Sequence, residues 1–303
     1  MAQNFGAGLW RLADPKISLA SMASLFLGAC AAYADGPVHW GWLAVTVAGI
    51  FSIEVAKNAS GEIFDYDSGA DPGIRPEERT PFSGGKRVLV DDLLSRRQTA
   101  GIAVAGYLLG IAAGLIIVWY REPQVLWLGI IGVGAAYSYN GWPLKLAYRG
   151  LGEATVAFCY GPLICCGMYL VQRGTVTLQV LALSVPLGLL IAAFLWINEF
   201  PDARADKEAG KKNWVVRLGP QKASRVFALI MATAFILLAE LPMTGLPKHV
   251  WLAGVALVPA RLAMRRLWTG YNQPQKLMPA QAQTLLAFVL FGLAGGVGLV
   301  IAN

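Results

Sequence analysis

The stretch TLQVLALSVPLGLLIAAFLWINEFPDARAD (177–206) stays apolar for about twenty residues, enough to cross a bilayer as a helix, before it turns acidic. Asn198, Asp202 and Asp206 recur at every fourth position. A helix carried past the apolar run therefore lines them up as one oxygen-rich stripe, with about 6 Å per step. A second stretch, NASGEIFDYDSGAD (58–71), closes another apolar run in the same way, with Asn58, Glu62 and Asp65 on one face and Asp71 beyond Gly69. Carboxylates at a membrane edge are costly, so their presence there points to function. Two facing carboxylate stripes call for a hard divalent cation: Mg²⁺ prefers such oxygens and completes its shell with water and substrate phosphates.

Composition places the whole chain in a membrane. Of its 303 residues 56% are hydrophobic and only 14% charged, with a mean hydropathy of +0.53, against about 25% charged residues in soluble domains. A hydropathy walk predicts nine spans, near 17–35, 40–60, 98–119, 124–141, 153–172, 177–199, 223–243, 247–268 and 281–302. The expected fold is a single all-α domain over residues 1–303, a bundle of nine transmembrane helices around a central cavity open to the cytoplasm. With the N-terminus inside, the opposite loops carry only Arg121, Arg173 and Lys248 of the 25 Lys and Arg residues, and Lys57 falls at a span end. The positive-inside rule then puts both acidic stretches at the cytoplasmic face of a cell membrane. MAQNFGAGLWRLADPK lacks the apolar core of a signal peptide, so the first span is expected to be retained. Cys30, Cys159, Cys165 and Cys166 all fall inside spans with no metal-binding spacing, and His39 and His249 fall in external loops. These residues read as packing groups and bystanders, and no nucleic-acid partner is expected.

The two long inner loops repeat one logic. After the first acidic stretch comes RTPFSGGKRVL (79–89), where Gly84 and Gly85 let the backbone approach an anion and Lys86 and Arg87 supply charge. After the second comes DKEAGKKNWVVRLG (206–219), with Gly210, Lys211 and Lys212. A third, shorter inner loop, YSYNGWPLKLAYRGLGE (137–153), adds Tyr139, Lys145, Tyr148 and Arg149. Cations this close to a span either find an anionic partner or anchor the chain on lipid phosphates.

Taken together, FDYDSGAD, PFSGGKRVL, YRGLGE, YGPL, GMYLVQRG and the second motif with AGKKNWVVRLG resemble the UbiA superfamily of intramembrane prenyltransferases over nearly the whole chain. Within it the chain looks most like the 1,4-dihydroxy-2-naphthoate branch of menaquinone biosynthesis. The resemblance implies Mg²⁺-dependent transfer of an isoprenyl chain from a prenyl diphosphate to an aromatic acceptor. It puts Asp65, Asp71, Asp202 and Asp206 on the family's metal-binding aspartates and Asn198 on the asparagine before the second pair. Asn58 and Glu62 complete the expected metal set. Three positions depart from the family pattern: Gly61 stands where relatives carry an asparagine, Glu62 replaces an aspartate, and NEFPD replaces NNxRD, so that Glu199 and Pro201 stand for an asparagine and an arginine. Asn58, one turn before Glu62, is expected to take over the missing amide's task.

The chemistry can be rebuilt from residue types. An allylic diphosphate ionises when the charge growing on its leaving oxygens is met by metal and fixed cations. Lys86, Arg87, Lys145, Arg149 and Lys211 are the candidates. Tyr139, Tyr160, Phe194 and Trp196 are candidate π faces for the allylic cation, and Asp71 is the candidate base for the acceptor's proton. Three readings compete: transfer to an aromatic acceptor, whether dihydroxynaphthoate, 4-hydroxybenzoate or another phenol; a terpene-forming relative without an acceptor; and a divalent-cation transporter. The last would need ionisable groups continuing to the outer face, where stretches such as IAAGLIIVWY have none.

Overall fold

The computed structural model describes residues 4–302, and helices account for all its regular structure apart from an isolated bridge between Thr80 and Ser83. In order they are α1 (Phe5–Ala13), α2 (Pro15–Ala34), α3 (Trp40–Asp67), α4 (Arg96–Tyr120), α5 (Val125–Ser138), α6 (Gly152–Phe158), α7 (Ile164–Arg173), α8 (Leu178–Glu208), α9 (Trp214–Leu218), α10 (Pro220–Glu240), α11 (Leu257–Gly270) and α12 (Met278–Ile301). A π-helical turn, Cys159–Leu163, joins α6 to α7 at Pro162, which has no N–H to donate.

Seven helical segments among the described residues are long and apolar enough to cross a membrane: Phe5–Ala34, Trp40–Asp67, Arg96–Tyr120, Gly152–Arg173, Leu178–Glu208, Pro220–Thr244 and Met278–Ile301. Two of the nine expected spans do not meet that measure. α5 has 14 residues, and the segment expected at 247–268 opens as a 3₁₀ helix before α11, where Arg261, Arg265 and Arg266 dilute the apolar run.

The larger difference lies at the acidic ends, where α3 runs to Asp67 and α8 to Glu208, several residues past the expected span ends at 60 and 199. Both acidic stripes therefore stand on helices, as their spacing predicts. Once clear of the apolar layer, a helix keeps its backbone satisfied internally while its carboxylates reach water, so nothing obliges it to stop at the membrane edge.

α8 is the central element. Its Leu183, Leu187, Leu190 and Ile197 are buried against α10 (Phe227, Met231), α12 (Phe288, Phe291) and α2 (Leu27). Trp196 donates its indole N–H to the carbonyl of Ala223 at 3.0 Å. Phe194 packs edge-on against Phe82 and Phe288, with ring centroids 5.9 and 5.5 Å away. Both aromatics, expected as faces for a cation, are thus consumed in packing.

α3 and α4 form the most extensive pair. Their backbones approach through glycines: a Cβ on Gly106 would lie 2.8 Å from the Ser52 carbonyl oxygen, and one on Gly110 would lie 2.4 Å from the Ile53 side chain. Close backbone approach at small residues is how helices gain contact in a membrane. Gly106→Val should therefore destabilise the protein by about 1–3 kcal/mol, the usual cost of overpacking, read as a lowered thermal midpoint in detergent.

The chain between α3 and α4 folds back over the end of α8, and Arg204 clamps it there. The guanidinium donates from Nε and Nη2 to the two carboxylate oxygens of Glu78, each at 2.7 Å, and from Nη2 to the carbonyl of Gly73 at 2.7 Å. Those Arg204 hydrogen bonds hold the Glu78 carboxyl below its ordinary value of 4.5. A depressed carboxyl stabilises the fold above the unfolded-state value and loses that contribution as pH falls through the folded one. Between about pH 7 and pH 4, wild type should therefore lose more thermal stability than Glu78→Gln, which has no such charge to lose. Parallel pH slopes for the two proteins in a thermal-shift series would show that the clamp carries no linked proton.

Candidate active site

The C-terminal ends of α3 and α8, with the loop folded over them, enclose a polar cavity of about 640 Å³. Its wall holds Asn58, Glu62, Asp65, Asp71, Asn198, Asp202 and Asp206, the whole expected metal set, together with Lys86, Arg87, Tyr139 and Lys211. Lys145 and Arg149 do not join them. The Lys145 ammonium lies 5.2 Å from the centre of the Tyr148 ring, and Arg149 is exposed with its guanidinium on the Pro143 carbonyl at 3.0 Å. Lys145 has a left-handed φ of 45°, part of the turn that carries both cations away from the cavity.

Lys211 is the keystone. Its ammonium lies 3.1 Å from an Asp65 oxygen and 3.4 Å from an Asp206 oxygen, one from each stripe, and 5.3 Å from the Tyr148 ring centre. Burial alone would lower this ammonium, but Asp65 and Asp206 outweigh it and hold Lys211 well above the ordinary lysine value. Asp65 also accepts from Asn140 Nδ2 and from the Tyr148 hydroxyl, both at 2.8 Å. Asp206 accepts from Asn213 Nδ2 at 2.9 Å, and Asn213 caps α9 through the Val216 N–H.

The remaining carboxylates shape the loop. Glu62 accepts the backbone N–H groups of Arg87 and Leu89, each at 3.0 Å and on separate oxygens. Asp202 accepts from the N–H of Gly84 at 3.1 Å. Gly85 has φ +73°, and a Cβ there would stand 2.3 Å from an Asp71 oxygen, so glycine alone fits. Burial first, then the charges of Asp65 and Glu62, push the Asp71 carboxyl well above the usual range. Asn58 donates Nδ2 to the carbonyl of Leu12 at 2.8 Å, tying α3 to the end of α1.

The cations have protein partners too. Lys86 pairs with Asp14, the left-handed residue between α1 and α2. Arg87 meets Asp91 at 3.1 Å and the Asp71 carbonyl at 3.3 Å. Sequence reasoning missed Asp14, Asn140 and Lys57. Asp14 and Asn140 lie far from their partners in sequence, and no local pattern marks them. Lys57 carried a signal, a lone cation at i−8 from Asp65 on the same helix face, and was read only as a span end.

The donor set suits a hard cation. Asp202 Oδ1 and Asn198 Oδ1 are buried without hydrogen-bond partners, and a buried orphan oxygen is costly unless something positive meets it. Among the described residues no three acidic, histidine or cysteine side chains converge on one point as they stand, and the Lys211 ammonium lies between Asp65 and Asp206. An ion bridging the stripes therefore requires that ammonium to shift. A second cavity, an apolar groove of about 190 Å³ walled by α3, α4, α5 and the α6–α7 span, adjoins the first, and Lys57 and Tyr139 are the residues common to both walls.

Residues 21–289 match the UbiA prenyltransferase family. The chain belongs to that family. It is a prenyltransferase, which removes the transporter reading. Among its relatives, the 1,4-dihydroxy-2-naphthoate octaprenyltransferase of Bacillus subtilis is 26% identical over 99% of this chain and 94% of the relative. The same-named protein of Haemophilus influenzae is 28% identical over 96% and 95%. Among solved structures, the apo UbiA homologue of Aeropyrum pernix K1 superposes with a TM-score of 0.69 at 18% identity, covering 99% of both chains. The Archaeoglobus fulgidus homologue bound to GPP and Mg²⁺ gives 0.61 at 15% identity, over 96% and 99%.

Asp65→Asn, Asp202→Asn and Asp206→Asn should each lower kcat/KM by about 100-fold or more, the scale of losing a principal electrostatic group. Tyr148→Phe removes one donor from Asp65 and leaves Asn140 and Lys211 in place; it should cost about tenfold, the low end of the roughly 1.5–3 kcal/mol that a hydrogen bond to a charged group contributes. Steady-state kinetics on folded, monodisperse protein separates the two classes.

Proposed function

We propose that this enzyme transfers an isoprenyl chain from its diphosphate to 1,4-dihydroxy-2-naphthoate, with Mg²⁺, at the cytoplasmic face of a nine-span bundle in the cell membrane. The observation that carries the reading is the junction of two unlike cavities: a carboxylate-walled chamber suited to metal and diphosphate, and an apolar groove suited to a prenyl tail, meeting at Lys57 and Tyr139. The naphthoate activities named for the relatives support the acceptor. The GPP and Mg²⁺ complex of the Archaeoglobus homologue supports the donor and the ion. The basic inner loops support the orientation.

In this reading Asp65, Asp71, Asp202, Asp206 and Asn198 hold the ion, with Glu62 and Asn58 fixing the walls behind them. When bound, Mg²⁺ supplies positive charge against the leaving diphosphate oxygens. Lys211 leaves its bridge between Asp65 and Asp206 and turns to the phosphate; Lys86 and Arg87 can do the same from the glycine turn. The Tyr139 ring stands where the scissile bond would lie, offering a π face to the allylic cation. Asp71, its carboxyl raised by burial and by neighbouring charge, is suited to take the proton the acceptor ring loses. The groove excludes the water that would otherwise quench the cation.

The test is product formation from a prenyl diphosphate and a panel of phenolic acids. Activity should vanish with EDTA and return with Mg²⁺. Dihydroxynaphthoate should be used at least about tenfold more efficiently than 4-hydroxybenzoate, because Gly61 adds no side chain to the chamber wall and an apolar pocket discriminates chiefly by size. A preference for the single ring, or product without any acceptor, would move the enzyme to another branch.

A further inference from the structure

α3 sets Lys57, Gly61 and Asp65 at i, i+4 and i+8, so they share one face, with about 6 Å of rise between neighbours. At one end of this row is the carboxylate chamber; at the other the apolar groove begins, and Lys57 lines both. Its ammonium lies 4.7 Å from the centre of the Tyr139 ring. The other cations of the chamber wall are committed or exposed. Lys86 pairs with Asp14, Arg87 and Arg11 with Asp91, and Lys211 with Asp65 and Asp206; Lys16 donates to the Pro81 carbonyl, and Arg79 is exposed. The Lys57 ammonium, by contrast, makes no ion pair or hydrogen bond among the described residues, and the residue is not exposed. Glu54, one turn earlier, is buried and accepts from the Ser21 hydroxyl at 2.9 Å.

An ammonium held at the edge of an apolar groove without an anion is costly, and the cost is recovered when a ligand supplies the anion. The diphosphate belongs two turns away, among the carboxylates. The acceptor must reach the carbon where tail and diphosphate join, which is this throat, and an aromatic acid brings a carboxylate with it. Gly61, between Lys57 and Asp65, presents no side chain, and a planar ring can lie over it against Tyr139. We propose that Lys57 binds the carboxylate of the aromatic acceptor and thereby selects ring acids over uncharged phenols. The inference rests on the aromatic-acceptor reading of the site.

The test compares 1,4-dihydroxy-2-naphthoate with 1,4-dihydroxynaphthalene, the same ring without the acid, using one prenyl diphosphate and Mg²⁺. Wild type should prefer the acid by about tenfold or more, the scale of a charge-assisted contact. In Lys57→Gln the KM for the acid should rise by about that factor and the preference collapse, with the KM for the prenyl diphosphate unmoved. Lys57→Arg should restore much of the preference. A wild type that uses both rings equally overturns the inference whatever the variants do. So does a Lys57→Gln effect confined to the prenyl diphosphate, or a preference for the acid that survives the substitution. If wild type instead prenylates only 4-hydroxybenzoate, the naphthoate reading fails, and the same comparison against phenol still decides the role of Lys57.

Discussion

Glu62, Asp65, Asp71, Asp202 and Asp206 crowd one chamber where α3 and α8 end, and their mutual repulsion is the constraint around which that end of the protein is built. Glu62, Asp65, Asp202 and Asp206 are each answered by a specific donor. The Lys211 ammonium spans the two stripes. The backbone N–H groups of Gly84, Arg87 and Leu89 engage Asp202 and Glu62. Asn140, Tyr148 and Asn213 engage Asp65 and Asp206. The loop between α3 and α4 is thus less a lid laid over a site than a set of donors that lets the carboxylates coexist before any ligand arrives.

On the proposed function, that arrangement gives the site two states. In one, lysine and backbone amides neutralise the aspartates. In the other, Asp65 and Asp206 would hold a divalent ion, which supplies positive charge in the lysine's stead, and Lys211 would be free to meet the phosphate. Exchange of one cation for another across a fixed carboxylate frame needs only a side-chain movement, because both stripes ride on long helices whose packed ends do not have to move. A buried charge is tolerable only while it has a partner, and Lys211 is the partner that Asp65 and Asp206 share.

How much of this was legible in the sequence follows from the range of the interactions. The two acidic stripes, the apolar lengths and the glycine turn at Gly84 and Gly85 are local patterns, and the structure places them around one chamber. The ends of α3 and α8 were set too early, because hydropathy marks where apolarity stops and not where a helix stops. Lys145 and Arg149 looked equivalent to Lys86 and Arg87 in composition, yet a left-handed turn at Lys145 sends them outside, and no single-sequence signal reports that direction. Phe194 and Trp196 looked available because aromatics near an acidic stretch are indistinguishable from aromatics in a core until their neighbours are known. Asp14 and Asn140 reach the chamber by tertiary contact alone.

The glycine-mediated approach of α3 to α4 bears on how such an enzyme can diversify. Gly49 and Gly110 form part of that helix contact and also wall the groove, while the same α3 carries Lys57 and Asp65 to the chamber. A side chain added at Gly110 to shorten the groove would press on Ile53 and so on the helix that sets the carboxylates. Groove depth and site geometry are therefore not independent traits: a lineage altering the first at this seam must repair the second, and drift in tail length is freer along the α5 wall, where Gly129 has open space beside it.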